Sequence, residues 1–210
     1  MLVAVYCGLG IIALRSGTDV AALFDLTRPQ SLGSAWNYAK FAVSAAALLL
    51  AAKLHRDAGL GLFAVTAIVL LTDDFFELHD MAAWKLGHYF EQTPIEIIHQ
   101  QSRGEPIVFA IFGAFVLALM ALAYRKTKIK IRPIAQALIV SLLLFAFFAA
   151  VIDLLHGFSE LFFVQSKRAI SGVFNVIEEG GEFFSLSVLA TVCIWLSVRT
   201  WNDNSFQEKI

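Results

Sequence analysis

Six runs of mostly apolar residues, at about 1–14, 37–54, 59–80, 105–124, 134–156 and 172–198, constrain this chain more than anything else in it. A helix that crosses the hydrocarbon layer takes roughly 20 such residues. In that layer every backbone N–H and C=O must find its partner inside the protein, and unbroken apolar runs, unlike alternating ones, do so only as helices. The composition agrees: 59% of residues are hydrophobic, mean hydropathy is +0.73 and only 16% are charged, where a soluble domain carries about a quarter. The expected fold is therefore all-α, a polytopic membrane bundle of about six transmembrane helices forming one integral domain over 1–210 in the lipid bilayer. A net charge of −1 gives a nucleic acid nothing to hold, and none is expected as a partner. Cys7 and Cys193 lie within apolar runs and read as small packing residues. The first run is short, with Arg15 placed to snorkel; lacking a basic start and a small-residue cleavage site, it is expected to stay in the mature protein.

The densest basic loop, Arg125, Lys126, Lys128, Lys130 and Arg132, assigns the 125–132 connection, and with it both termini, to the cytoplasm. Alternation then sends 14 of the 17 acidic residues to the outer side or the outer halves of helices. The third run leaves the membrane through "TDDFFELHD", the fifth through "DLLHGFSE", and the sixth enters through "NVIEEGGEFF". All three meet at one membrane level whichever way the protein is inserted.

Helical periodicity sharpens this picture. At 100° per residue, Asp73, Glu77, Asp80 and Trp84 share an arc of about 60°, joined by His88 and Glu91 if the helix continues outward. Asp74 lies at the edge of that arc, and His79 points almost the opposite way. Asp153, His156 and Glu160 also fall within about 60° on the fifth run, with Gly157 leaving room beside them. On the sixth, Glu178, Glu179 and Glu182 share a face with Asn175, while Gly180 and Gly181 point to a close backbone approach or a local break. The loop segment "PIEIIHQ" repeats the carboxylate-x-x-histidine spacing with Glu96 and His99. With Pro94 in its first turn and Thr93 as cap, it reads as a short surface helix near 94–102.

A carboxylate near the bilayer centre costs about 2.5–3.5 kcal/mol, and several facing one another must be protonated, paired with bases, or bound to a cation. Basic residues on the acidic side are few: Lys40, Lys85, Arg103, Lys167 and Arg168. A divalent ion held by carboxylates and imidazoles suits the residue types, with iron, zinc or manganese as candidates. Two carboxylate-x-x-His pairs plus carboxylates from further helices are the parts of a di-metal site in a helical bundle. The expected metal ligands are Asp73, Glu77, Asp80, Glu96, His99, Asp153, His156, Glu160, Glu178 and Glu182. The plainer alternative is a hydrogen-bonded polar cluster that holds helices together.

The motifs "DDFFELHD" (73–80) and "IEEGGEF" (177–183) resemble a pattern found in poorly characterised polytopic bacterial membrane proteins. There a D-[DE]-x4-H-[DE] helix end precedes an E-E-x-x-E helix start. The resemblance implies a multi-pass protein of the bacterial inner membrane with an acidic site, and it puts His79 in the histidine position. Glycine patterns for nucleotides and serine-nucleophile elbows are absent. Two functions remain open. One is a metal-dependent oxidoreductase or hydrolase acting on a lipid-like substrate. The other is a non-catalytic subunit of a larger membrane complex, or a cation transporter, using the acids for ion binding or assembly. The inner halves of runs five and six carry few polar residues, which ranks transport below a one-sided site.

Overall fold

The computed structural model describes residues 32–89, 100–156 and 167–207. Every element among them is helical, and none is a strand. In chain order these are α1 (Leu32–His55), α2 (Ala58–Phe76), α3 (Leu78–Tyr89), α4 (Gln100–Lys126), a 3₁₀ turn (Ile129–Ile131), α5 (Arg132–Ala146) and α6 (Lys167–Gln207). A π-helical turn, Phe147–Ile152, carries α5 onward to His156. Five stretches are long and apolar enough to cross a membrane: Leu32–His55, Ala58–Phe76, Gly104–Lys126, Ile129–His156 and Gly172–Arg199. They coincide with the second to sixth apolar runs. The first run lies outside the described residues, as do positions 94–99 of the expected surface helix; residues 100–102 belong instead to the first turn of α4.

Helix α1 packs between α2 and α6; α6 packs in turn on α5, and α2 on α4, while α4 and α5 touch each other little. The core runs along this array through Phe41, Leu48, Leu60, Phe63, Met120, Leu138, Leu142, Leu186, Leu189 and Leu196. Cys193 is buried among them as a free thiol, the packing role its setting implied. The few polar residues in the core answer their own helices: Ser44, Thr66 and Ser141 donate to the carbonyls of Lys40, Leu62 and Ala137. Ser197 reaches across to the carbonyl of Ala47 at 2.7 Å and so ties α6 to α1.

At the basic-loop end, the α1–α2 turn is fastened by one buried carboxylate. Asp57 caps α2 by accepting from the Leu60 N–H at 3.0 Å, and its other oxygen accepts from the Lys128 N–H at 2.8 Å. Gly59 lets the start of α2 lie directly against Ala123 and Thr127 of the α4 end.

The third apolar run is not one helix to residue 80, as periodicity predicted. It ends at Phe76, where Glu77 takes left-handed backbone angles (φ 50°, ψ 42°) and α3 starts in a new direction. No glycine announces this break, which is why a wheel drawn across it misplaces His79, Trp84 and His88.

Candidate functional site

The ends of α2, α5 and α6, the start of α1 and the α3–α4 pair enclose a cavity of about 420 Å³. Its lining divides in two. Asp73, Asp74, Glu77 and Asp80, with Glu105, Asp153, Glu178, Glu179 and Glu182, form the acidic part. Phe109, Phe112, Val116, Leu117, Met120, Leu142, Leu143 and Phe145 form the apolar part. Six of the ten residues expected to bind metal therefore line one space: Asp73, Glu77, Asp80, Asp153, Glu178 and Glu182. Glu96, His99 and Glu160 lie outside the described residues, as do Gly157 and Glu91.

The left-handed turn at Glu77 gives His79 a place that periodicity denied it. The chain folds back so that the buried Asp73 carboxylate takes the His79 backbone N–H at 3.0 Å and its ring Nδ1 at 2.9 Å. The same ring has Nε2 3.7 Å from Asp80 and lies 5.5 Å from the Phe109 ring. Burial pushes this imidazole toward its neutral form, but the Asp73 hydrogen bond and the charges of Asp80, Asp73 and Asp74 outweigh it and raise the pKa to about 9. Trp84 and His88, expected on the acidic arc, instead stack on each other along α3, away from the cavity lining. The α2–α3 break rotates them out.

On the opposite wall, the π-helical turn Phe147–Ile152 resets the register of α5 immediately before Asp153. Phe148, within that turn, lies against Gly181, where a Cβ would meet its ring. Gly181 thus provides the close approach its sequence position implied, and α6 runs unbroken through both glycines. The approach brings Asp153 and His156 to Glu178. One donor atom from each of the three lies within 4.8 Å of the others, with His156 Nδ1 and Glu178 Oε2 3.9 Å apart. Phe174 stacks flat on the His156 ring at 5.6 Å, holding its plane. The charges of Asp80 and His79 reach Asp153, and those of Glu105 and Asp80 reach Glu178, so the two walls act as one electrostatic unit.

Lys40 points its ammonium elsewhere. It donates to Asn37 Oδ1 at 3.1 Å and to the Phe183 carbonyl at 2.9 Å, and sits over the Phe183 ring. No lysine or arginine is among the described residues that line the cavity. Sequence reasoning passed over Glu105, put Asp74 and Glu179 near the acidic faces but outside the ligand set, and set His79 aside. The histidine position of the resembling motif was the only signal for His79; Glu105 had none beyond being an acid at the start of an apolar run.

The chain belongs to a family of domains of unknown function, DUF8692, whose family model matches residues 2–197. No curated protein and no solved structure matches it.

Proposed function

We propose that this chain is a multi-pass protein of the bacterial inner membrane that binds a divalent transition metal through Asp153, His156 and Glu178, and uses it as an oxidoreductase or hydrolase on a hydrophobic substrate. The observation that carries the reading is the three-residue group itself: one imidazole and two carboxylates from two helices, with donor atoms within 4.8 Å. Two ligands of one ion with bonds of about 2.0–2.2 Å sit at most about 4.4 Å apart, and the 3.9 Å between His156 Nδ1 and Glu178 Oε2 lies inside that reach. Mixed nitrogen and oxygen donors suit iron, zinc or manganese. Three protein ligands, with Asp153 and Glu178 on the cavity wall, match a site that keeps a coordination position for substrate or water rather than a closed structural one.

A metal there would supply Lewis acidity, and a bound water of lowered pKa or a redox couple. The chain's own residues do the rest. Phe174 holds the plane of the His156 ring. Phe109, Phe112 and Val116 offer an apolar wall to the substrate, and the Asp73–His79 pair is a positioned proton carrier on the facing wall. In a dinuclear form, Asp80, a cavity-lining carboxylate whose charge reaches both Asp153 and Glu178, is a candidate ligand for a second ion. Beyond the cavity the described core is mainly apolar, Leu48, Phe63, Leu138 and Leu189 among others, and its few polar residues such as Ser44, Thr66 and Ser141 donate to carbonyls of their own helices, a meagre path for an ion that favours a one-sided site over a transporter.

Elemental analysis of the purified protein tests this. Wild type should carry a stoichiometric transition metal, and His156→Ala and Glu178→Ala should each lose it while keeping their helical circular-dichroism spectrum. Retention in both variants, or its absence from wild type after growth in metal-replete medium, overturns the proposal.

A further inference from the structure

The apolar half of the cavity faces the seam between α4 and α5, two helices that touch each other little. α4 packs on α2 and α3, and α5 on α6. The side-chain contacts that join α4 to the start of α5 are near the 125–132 loop, where Gln136 donates to Tyr124 at 3.3 Å and Arg132 lies over the Tyr124 ring. Farther along, Leu117 on α4 and Leu143 on α5 line the cavity and are nevertheless 52% and 43% exposed. Four residues before Leu117 on α4, Gly113 also lines the cavity, and a Cβ built on it would meet nothing within 4 Å. These residues lie well inside the spans Gly104–Lys126 and Ile129–His156, at the depth where a membrane-crossing helix meets acyl chain.

We infer that the α4–α5 seam is a lateral portal, and that the cavity takes from the bilayer a single-chain amphiphile with a cationic head. The tail lies along Phe112, Leu117, Leu143 and Phe145, and the head lies among Asp74, Glu77, Asp153 and Glu182. A volume of about 420 Å³ is that of a small-ligand site and holds the head with the first part of the chain; the remainder passes between Gly113 and Leu143 into lipid. Head chemistry follows from the lining. Carboxylates accept from an ammonium whether ionised or sharing protons, whereas a phosphate or carboxylate head finds no lysine or arginine among the described lining residues and meets like charge. The same deficit persists with a divalent ion at Asp153, His156 and Glu178, because the remaining carboxylates still outnumber the imidazoles. The inference stands on the cavity and its opening, with or without that metal.

The test is photocrosslinking of the full chain in nanodiscs with two diazirine-bearing probes of one chain length, a long-chain primary amine and the matching carboxylate. Adducts are mapped by mass spectrometry, and metal is measured on the same samples. The amine should label the 112–117 and 142–146 stretches about tenfold more than the carboxylate, a preference of about 1.4 kcal/mol. Gly113→Trp, which fills the gap, should reduce that labelling about as much and leave metal content unchanged. Leu143→Trp repeats the block from the other helix if Gly113→Trp does not assemble. Equal labelling by both probes overturns the inference, as does amine labelling no stronger at the seam than at the lipid-exposed Val43 and Val65, or labelling that survives both tryptophans. Metal retained without selective labelling leaves the metal proposal standing alone, and selective labelling without metal does the reverse.

Discussion

Replacing His79 by glutamine removes the positive partner of Asp73, and its clearest consequence is a change in how stability depends on pH. The folded protein raises this imidazole from 6.5 to about 9, against the opposing effect of burial. At 1.36 kcal/mol per pH unit that gap is worth about 3 kcal/mol. The pair is little screened, since the His79 and Asp73 side chains are only 24% and 11% exposed. The sign follows from which state holds the proton more tightly. Here the folded state does, so the contribution is complete below about pH 6.5 and is lost as pH rises through about 9. Unfolding of purified protein in detergent, followed by tryptophan fluorescence, should therefore show wild type exceeding His79→Gln by about 3 kcal/mol more at pH 6 than at pH 10. Parallel stability curves across that range would refute the Asp73–His79 pair as an ionic one.

Asp73→Asn should return the His79 titration toward 6.5, read from its ring resonances by NMR, because the carboxylate that holds both Nδ1 and the backbone N–H is gone. Asp57→Ala should lower stability by about 2–4 kcal/mol: about 1 for the lost cap of α2, the rest for the lost hydrogen bond from the Lys128 N–H to this buried carboxylate. Gly59→Ala, whose Cβ would lie 2.5 Å from the Ala123 carbonyl oxygen and the Thr127 nitrogen, should cost about 1–3 kcal/mol. By contrast, Gly61→Ala meets only the Ala52 methyl at 3.9 Å and should be neutral or stabilising by up to about 1 kcal/mol. Chemical denaturation of the purified variants separates these outcomes.

The spans were legible because each is a local property: the runs at 105–124 and 172–198 fall inside Gly104–Lys126 and Gly172–Arg199. So was the meeting of acids at one end, since alternating spans return every second helix end to the same level. Periodicity failed where a local rule was broken without a local cue. Glu77 adopts a left-handed conformation unaided by glycine, so the arc from Asp73 kept Glu77 and Asp80 on the cavity but lost Trp84, and His79, set aside by that arc, turned back onto Asp73. Glu105 joined the site because of where α4 begins, which spacing does not encode.

Sequence by itself determined that this chain is a bundle of membrane-crossing helices with its carboxylates gathered at one level, because hydrocarbon leaves an unbroken apolar run no other way to satisfy its polar backbone. Tertiary structure decided which of those carboxylates share a space and with what. The Gly181–Phe148 contact draws Asp153 and His156 to Glu178, and the sparse α4–α5 seam leaves an apolar cavity beside them. Both depend on how closely one helix can approach another, a sum over many side chains far apart in the chain that no single stretch of residues carries.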